Sequence, residues 1–332
     1  MILLITNKSD IHPNPVIEKL SGLGASIFRL NCESLLADYK FSWSIGPTGP
    51  DCILENRVTN LKIQLSEIGA VWERRPVSPE ELPHSVNSDF GRVGLSEAEG
   101  FLRFFRYSLV DRFWVGNVFL DRRAESKILQ LLIAHELGFQ IPNTIFTNMK
   151  SLALEFFGSE SDLLIKPIEE DGITIEEQEH AFFSRKFPKS LLSDCPDAAF
   201  ENSVSFIQNY VPKACEVRVT CVKEKAFACK IDSQSQEVSK GAIDWRQGYG
   251  HGLKHTPIAL PSEIEEFCFA FLKKMGTNFG CFDFIVTQNN EYVFLECNPN
   301  GQWLWIEKET GLPISDAIAK VLFEADRCHL KM

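Results

Sequence analysis

The sequence predicts an α/β (α+β) chain made of several mixed subdomains, and three observations carry that expectation. MILLIT, NPVIEKLSGLG and ASIFRLN follow one another as an apolar strand, a helix closed by glycines and a second strand, which is a β-α-β start. SVSFIQNYVP, EVRVTCV and KAFACKID are three strand-like runs in close succession. The stretch CFDFIVTQNNEYVFLECNPNGQW, residues 281 to 303, folds back on itself as a hairpin. A chain of 332 residues is long enough for two or three subdomains with substantial cores. The expected divisions are 1–117, 118–207 and 208–332.

Taken in order, the first strand meets its helix without a G-x-G-x-x-G, so a dinucleotide site there is unsupported. Residues 41 to 75 read as strand-rich, with turns at Gly46-Pro47 and Gly49-Pro50 and a last strand, AVWERRP, stopped by Pro76. Pro79 to Gly94 is polar and loop-like, and a helix rich in aromatics is expected from about Ser96 to Asp111. A further helix runs from Arg122 to Gly138, with Ile128, Leu131, Leu132 and His135 at helical spacing and Gly138 as its stop. PNTIFTN is extended, Asn148 can cap a short helix, and DLLIKP is a buried strand ending at a lysine. Residues 169 to 197 are acidic and weakly periodic, hence expected to be mobile or ordered by a partner. No internal repeat or low-complexity tract is visible.

Composition narrows the function classes. Apolar residues at 44% and charged residues at 24% are ordinary for a globular chain. A formal charge of −11 argues against a nucleic-acid binder, though not against one nucleotide held by local Lys and Arg. The ten cysteines include no C-x-x-C pair and no closely spaced Cys/His quartet, so they read as small core residues. MILLITNKSD lacks the basic start and long apolar stretch of a secretory signal, and no run approaches transmembrane length. A reducing cytoplasm fits best, with neither nucleic acid nor membrane as partner.

In the final hairpin, a tight turn at Asn289-Asn290 sets Asp283 opposite Glu296. Period-two alternation puts Phe282, Phe284, Val286, Val293, Leu295 and Cys297 on one face, and Asp283, Ile285, Phe294, Glu296 and Asn298 on the other. Opposed residues have Cβ atoms roughly 4.5–5.5 Å apart, where two carboxylates repel unless something neutralises them. Either the acids face water at a hairpin edge, or they hold a hard divalent cation; Mg²⁺ commonly bridges carboxylates to nucleotide phosphates.

Other candidates each have a bland reading and a sharp one. Lys127, early in its helix, and Lys166, ending the strand LLIK, are surface lysines or phosphate donors. Alternation in EVRVTCV puts Glu216, Arg218 and Thr220 on one face, and Lys230 in the next strand can add a cation to that face. Arg218 then either pairs at the surface or clamps an anionic intermediate. Asp244, Trp245 and Arg246 lie in a Gly-rich loop that is either a surface turn or a segment closing over a substrate. Glu73, Arg74 and Arg75 form either a solvated charge cluster or a basic patch for acidic side chains of a partner.

In this order, Lys127, Lys166, Gln208-Asn209-Tyr210-Val211, Glu216-Val217-Arg218, Lys230, Asp283 and the Glu296-Cys297-Asn298-Pro299 run resemble an ATP-grasp ligase over the last two thirds of the chain. AVWERRP, WVGNVFLDRRAESKILQLLIAHELGFQIPNTIFTN, AIDWRQGYG and FLECNPNGQW are similar to the graspetide synthetases, the ATP-grasp macrocyclases of microviridin-type peptides. That resemblance implies a Rossmann-like pre-ATP-grasp domain, a central lid subdomain and a C-terminal ATP-grasp subdomain. It implies that Lys127 and Lys166 hold ATP phosphates, that Gln208 to Val211 forms the adenine hinge with Glu216 also on the nucleotide, and that Asp283, Glu296 and Asn298 hold magnesium. Arg218, Lys230 and Arg246 would steady the γ-phosphate and the acyl phosphate, Asp244 would assist as a base, and Arg74 and Arg75 would join Arg218 and Arg246 on substrate. The implied partner is a ribosomal precursor peptide with leader and acidic core, linked through Asp or Glu to Thr, Ser or Lys; the enzyme is a possible homodimer. The region 176 to 205 with the 216 to 230 hairpin is the expected leader site. One departure from the family pattern is the glycine-rich loop after Lys166, reduced to EEDGITIEE. A RimK-like ligase adding a free amino acid would share every ATP residue, and a nucleotide-binding regulator without turnover is the reading from outside the enzymes.

Overall fold

The computed structural model describes residues 1–82, 88–169, 172–175, 178–234, 241–248 and 252–329. Its first lobe contains β1 (Ile2–Thr6), α1 (Pro13–Gly22), β2 (Ile27–Asn31), α2 (Leu35–Asp38), β3 (Tyr39–Gly46), β4 (Gly49–Asn56), β5 (Lys62–Gln64), β6 (Ala70–Glu73), α3 (Ser88–Tyr107) and β7 (Phe113–Val115). β2-β1-β6-β7 form a parallel sheet and β3-β4-β5 an antiparallel one. All five residues of β1 are buried, as a parallel strand covered on both faces requires. Helix α3 starts eight residues before the expected Ser96. Its glycines read as loop, yet a Cβ on Gly91 would lie 2.3 Å from the Leu82 side chain, so this glycine serves close packing.

The second lobe comprises α4 (Val118–Ala124), α5 (Lys127–Glu136), β8 (Thr144–Thr147), α6 (Lys150–Phe156), β9 (Asp162–Lys166), β10 (Gly172–Ile175), β11 (Gln178–Ala181), β12 (Arg185–Pro188), α7 (Lys189–Asp194), α8 (Asp197–Glu201) and β13 (Ser205–Asn209). β12-β9-β13-β8 form an antiparallel sheet, and β10-β11 a hairpin of their own. The single helix expected from Arg122 is two: Ser126 caps a new one, its hydroxyl accepting from Leu129 N. The buried face of α5 is Gln130, Leu131, Ile133 and Ala134, while Ile128 and Leu132 are exposed. At α6, Thr147 rather than Asn148 supplies the local cap-like bond, accepting from Met149 N at 2.9 Å. The acidic stretch after Glu169 contains paired strands and a helix, because β12 completes its hydrogen bonding against β9. Residues 170, 171, 176 and 177 of EEDGITIEE lie outside the described residues.

The third lobe is a five-stranded antiparallel sheet, β16-β15-β14-β17-β18, with helices α9 (Ser262–Met275), α10 (Leu304–Thr310) and α11 (Ile314–His329); its strands are β14 (Cys215–Val222), β15 (Lys225–Ile231), β16 (His255–Ile258), β17 (Phe279–Val286) and β18 (Tyr292–Asn298). Ile264, Phe267, Cys268, Phe271, Leu272 and Met275 recur at helical spacing and bury one face of α9 against Val217, Val219, Phe282, Phe284 and Phe294. Each such side chain contributes roughly 1.5–3 kcal/mol. Gly276 ends the helix at φ +79. α11 returns to the first lobe, where Ile314, Ala317, Ile318 and Leu322 share a core with Ile2, Leu4, Ala70 and Trp72.

The β17–β18 hairpin departs from strict alternation twice. Its turn runs from Thr287 to Glu291, whose backbones bond at 2.9 Å, with Asn290 at φ +63, so the loop is longer than the expected two residues. That slips the pairing by one, giving Phe284↔Phe294 and Ile285↔Val293. A bulge between Asp283 and Phe284 restores it, and Asp283 pairs with Glu296 as expected. In consequence Phe294 is buried with the phenylalanine cluster, and Leu295 joins Ile285 on the opposite face, the reverse of their expected sides.

Candidate functional site

A cleft opens between the second-lobe sheet and the face of the third-lobe sheet that carries Asp283. One cavity of about 520 Å³ holds Leu164, Gln208, Val211 and Ile285; a second of about 730 Å³ holds Lys127 and Gln130. Lys166, Ser184, Arg246, Glu296 and Asn298 line both, so the two form one channel.

At its acidic end, cross-strand pairing sets Arg218 beside Asp283, and the guanidinium donates to Asp283 Oδ2 at 2.5 Å. Lys127 Nζ lies 3.3 Å from Glu296 Oε2, because the N-terminus of α5 packs on β18 through Gln130, which bonds both backbone groups of Cys297. Burial pushes both carboxyls up. Asp283, with Glu296 opposite, stays above the usual range despite Arg218, whereas Lys127, Lys166 and Arg246 bring Glu296 below it. Burial also lowers Lys166, against the pull of Glu296. Asn298 Oδ1 accepts from Asn300 N at 3.0 Å, which closes a turn just past the acids. Carboxylate and amide oxygens without thiolate or imidazole suit a hard cation. Among the described residues there is no group of three or more His, Cys, Asp or Glu side chains fit to hold a metal, so such an ion would need oxygens from a bound ligand.

At the other end, Gln208 to Val211 leaves the second-lobe sheet as a wall of the cleft. Asn209 and Asn143 exchange bonds of 3.1 and 2.8 Å, and Tyr210 N donates to Asp162 O at 3.0 Å. Gln208 Nε2 donates to Thr144 Oγ1 at 2.9 Å, while its buried Oε1 has no partner among the described residues. Glu216 pairs with Lys213, a residue the sequence reading passed over although it closes the QNYVPK run. Burial pushes the Glu216 carboxyl up to about 7 against that lysine, and its Oε2 likewise has no hydrogen-bond partner among the described residues.

Arg246 is gripped by Asp244 at 2.9 and 2.7 Å, and Asp244 also accepts from Ser184 N at 3.2 Å. Burial would raise Asp244, but Arg246 holds it below the usual carboxylate range. Both carboxylate oxygens are engaged by Arg246 and one also by Ser184 N, so the geometry makes Asp244 the holder of Arg246. Ser184 and the neighbouring Phe183, whose ring sits 5.7 Å from the Arg246 guanidinium, were not anticipated, because their chain lay in the stretch read as mobile. Trp245 packs against Trp305 at 5.2 Å on the same cleft wall.

Two expected residues are elsewhere. Lys230 pairs with Val217 while Arg218 pairs with Cys229, so Lys230 points to the opposite face of the sheet and lines neither cavity. Arg74 is 1% exposed and engages Asp10, Asn300 and Gly301, which removes it from contact with substrate. Its neighbour Glu73 is likewise buried, on Arg106 at 2.6 Å. Arg75 does reach the cleft, from a backbone at φ +42 whose carbonyl accepts from Asn7 at 2.6 Å.

A sequence profile described as the MvdD pre-ATP grasp domain matches residues 1–122. No curated protein matches. Among solved structures, the macrocyclase MdnC of Microcystis aeruginosa MRC, bound with precursor peptide MdnA, is 30% identical with a TM-score of 0.81, covering 98% of this chain and 100% of its own. The RiPP-associated ATP-grasp ligase of Chryseobacterium gregarium, in complex with ADP and a leader and core peptide, is 27% identical over 97% of this chain and 96% of its own, with a TM-score of 0.86. MdnB of the same Microcystis strain is 27% identical over 97% and 98%, with a TM-score of 0.72. With three lobes around one acid-lined cleft and full-length similarity at that level, the chain belongs to the family of ATP-grasp macrocyclases.

Proposed function

We propose that this ligase activates Asp or Glu side chains of a ribosomally made precursor peptide with ATP and joins them to Thr, Ser or Lys side chains of the same peptide. The observation that carries the reading is the opposition of Asp283 and Glu296, each balanced by a cation, in a cleft whose other wall presents Arg246 and Arg75. In this reading the orphaned Gln208 Oε1 accepts from the adenine amine, the hinge to Val211 flanks the base, and Glu216 takes a nucleotide hydroxyl. Lys127 and Lys166 meet the phosphates. Asp283, Glu296 and Asn298 would hold magnesium, which when bound offsets the negative charge that builds up in phosphoryl transfer.

Arg218 orients Asp283 and offsets part of the burial that raises its carboxyl. Arg246, aimed by Asp244, receives the substrate carboxylate and then its acyl phosphate, while Arg75 orients the peptide from the first lobe. The leader lies along the 176 to 205 region and the 216 to 230 hairpin. The division at 117 separates a pre-ATP-grasp domain from a lid, whereas the one expected at 207 falls inside β13, so the lid runs to Asn209 before the metal-bearing domain begins. A reducing cytoplasm suits the protein, since all ten cysteines are free thiols and most are buried; among the described residues no helix is long and apolar enough to cross a membrane.

The test is incubation with ATP, magnesium and the cognate precursor peptide. Loss of one water's mass per link, with one ADP released for each, is expected. Unchanged precursor mass, or a gain equal to an added amino acid, would refute the reading.

A further inference from the structure

We propose that Arg74 is a positioning residue that sets the metal-bearing turn from the first lobe, an inference that rests on Asp283, Glu296 and Asn298 being the magnesium end of the cleft. Residues 298 to 302 cross the end of β18 and supply Asn298 to the cleft. Arg74 Nη1 donates to Asn300 O and, at 3.2 Å, to Gly301 O, two carbonyls of that turn. Its Nε faces Asp10 Oδ2 at 3.2 Å, and Asp10 is fixed in turn by His12 N at 2.9 Å and His12 Nδ1 at 2.8 Å. On the far side, Asn300 Nδ2 donates to the buried Asp121 at 3.3 Å. A Cβ on Gly301 would stand 2.4 Å from Cys281 Cβ and 2.8 Å from Arg218 Nη2, so the turn fits against β17 only with glycine there.

The turn is therefore held from three elements, and Arg74 joins two of its successive carbonyls, through Nη1, to Asp10, which its Nε faces. A lysine would keep the charge but has one nitrogen, so it could not face Asp10 and the turn from two at once. Groups that orient metal ligands change metal affinity by roughly 10–100-fold when removed. Arg74 thus acts through Asn298, and its removal weakens the metal site while the adenine end, built from β13 and β14, stays as it was.

The experiment compares wild type, Arg74→Lys, Asp10→Asn and Glu296→Gln. Mn²⁺ affinity is read by electron paramagnetic resonance with saturating ADP, and ADP affinity is read separately without metal. For Arg74→Lys the expected result is a loss of about tenfold or more in Mn²⁺ affinity with metal-free ADP affinity within twofold. Unchanged Mn²⁺ affinity, or an equal fall in metal-free ADP affinity, overturns the proposal. Should Arg74→Lys fail to fold, Asp10→Asn decides by the same two readings, with a smaller loss of a few fold expected. Glu296→Gln separates the two layers of the argument. If it leaves Mn²⁺ affinity unchanged, the metal-site reading itself is wrong; if it lowers affinity and Arg74→Lys does not, only the positioning role is wrong.

Discussion

Replacing Asp244 by Asn separates two roles for the loop that carries Asp244 and Arg246. The native carboxylate makes two charge-assisted bonds to Arg246, at 2.9 and 2.7 Å, and accepts a third from Ser184 N. A bond to a charged group contributes roughly 1.5–3 kcal/mol. Because the Arg246 side chain is 43% exposed, solvent screening places this pair at the low end, about 1.5 kcal/mol, or about tenfold in rate. An Asn keeps one acceptor and loses the other together with the charge. If Asp244 aims Arg246 at the substrate acid, Asp244→Asn lowers kcat/KM for precursor about tenfold, leaves KM for ATP within twofold, and keeps one ADP released per link. Coupled ADP release and mass spectrometry measure all three. A variant that releases ADP at the native rate while making no links would refute the argument, because a misaimed Arg246 slows activation itself, whereas loss of a base acting after activation leaves ADP release untouched.

Lys230→Ala should change kcat at saturating precursor by less than twofold, since Lys230 faces away from the cleft; a tenfold loss of kcat would contradict the β14–β15 register. Arg218→Met leaves two opposed carboxylates with one counter-charge fewer, and urea unfolding without metal should show a loss of about 3 kcal/mol, reduced when magnesium and ADP are added. An unchanged unfolding midpoint would count against the ion pair. Burial pushes the Asp121 carboxyl up to about 8, with Glu73 adding to the effect, against an ordinary value of 3.8. A folded-state value above the unfolded one means that this group's contribution is fully present below about pH 4 and is lost as pH rises through about 8. Asp121→Asn should therefore melt at a temperature that gains on wild type steadily across that window, with a ceiling of about 6 kcal/mol; a pH-independent difference would show that Asp121 is already ionised in the fold.

How far the sequence could be read depended on whether a residue's partner lies nearby in the chain. Asp283 and Glu296 were legible because one hairpin contains both. Their pairing held although the turn is longer than two residues and a bulge follows, two departures of opposite sense. Lys230 was misplaced by parity: pairs in the β14–β15 ladder join an odd-numbered residue to an even one, so Arg218 and Lys230 are on opposite faces. Recognising this needs the register of a turn that composition does not fix. Arg74 was misread for a different reason. A charged doublet at a strand end is usually solvated, and nothing local signals that Asp10 and the carbonyls at 300 and 301 will enclose one member and leave the other in the cleft. The helical break at Ser126 was hidden by an unbroken apolar rhythm, yet it is what delivers Lys127 to Glu296.

The bulge in the last strand has a chemical outcome of its own. A regular strand shows alternate side chains to a given side, so neighbours in sequence never meet the same ligand. With the extra residue accommodated, Leu295 and Glu296 both look into the channel. One segment can thereby offer a hydrocarbon surface to a flat aromatic ring and a negative charge to an ion only one residue along. Shortening the strand by deleting Leu295 would part those two tasks even if every other side chain were kept.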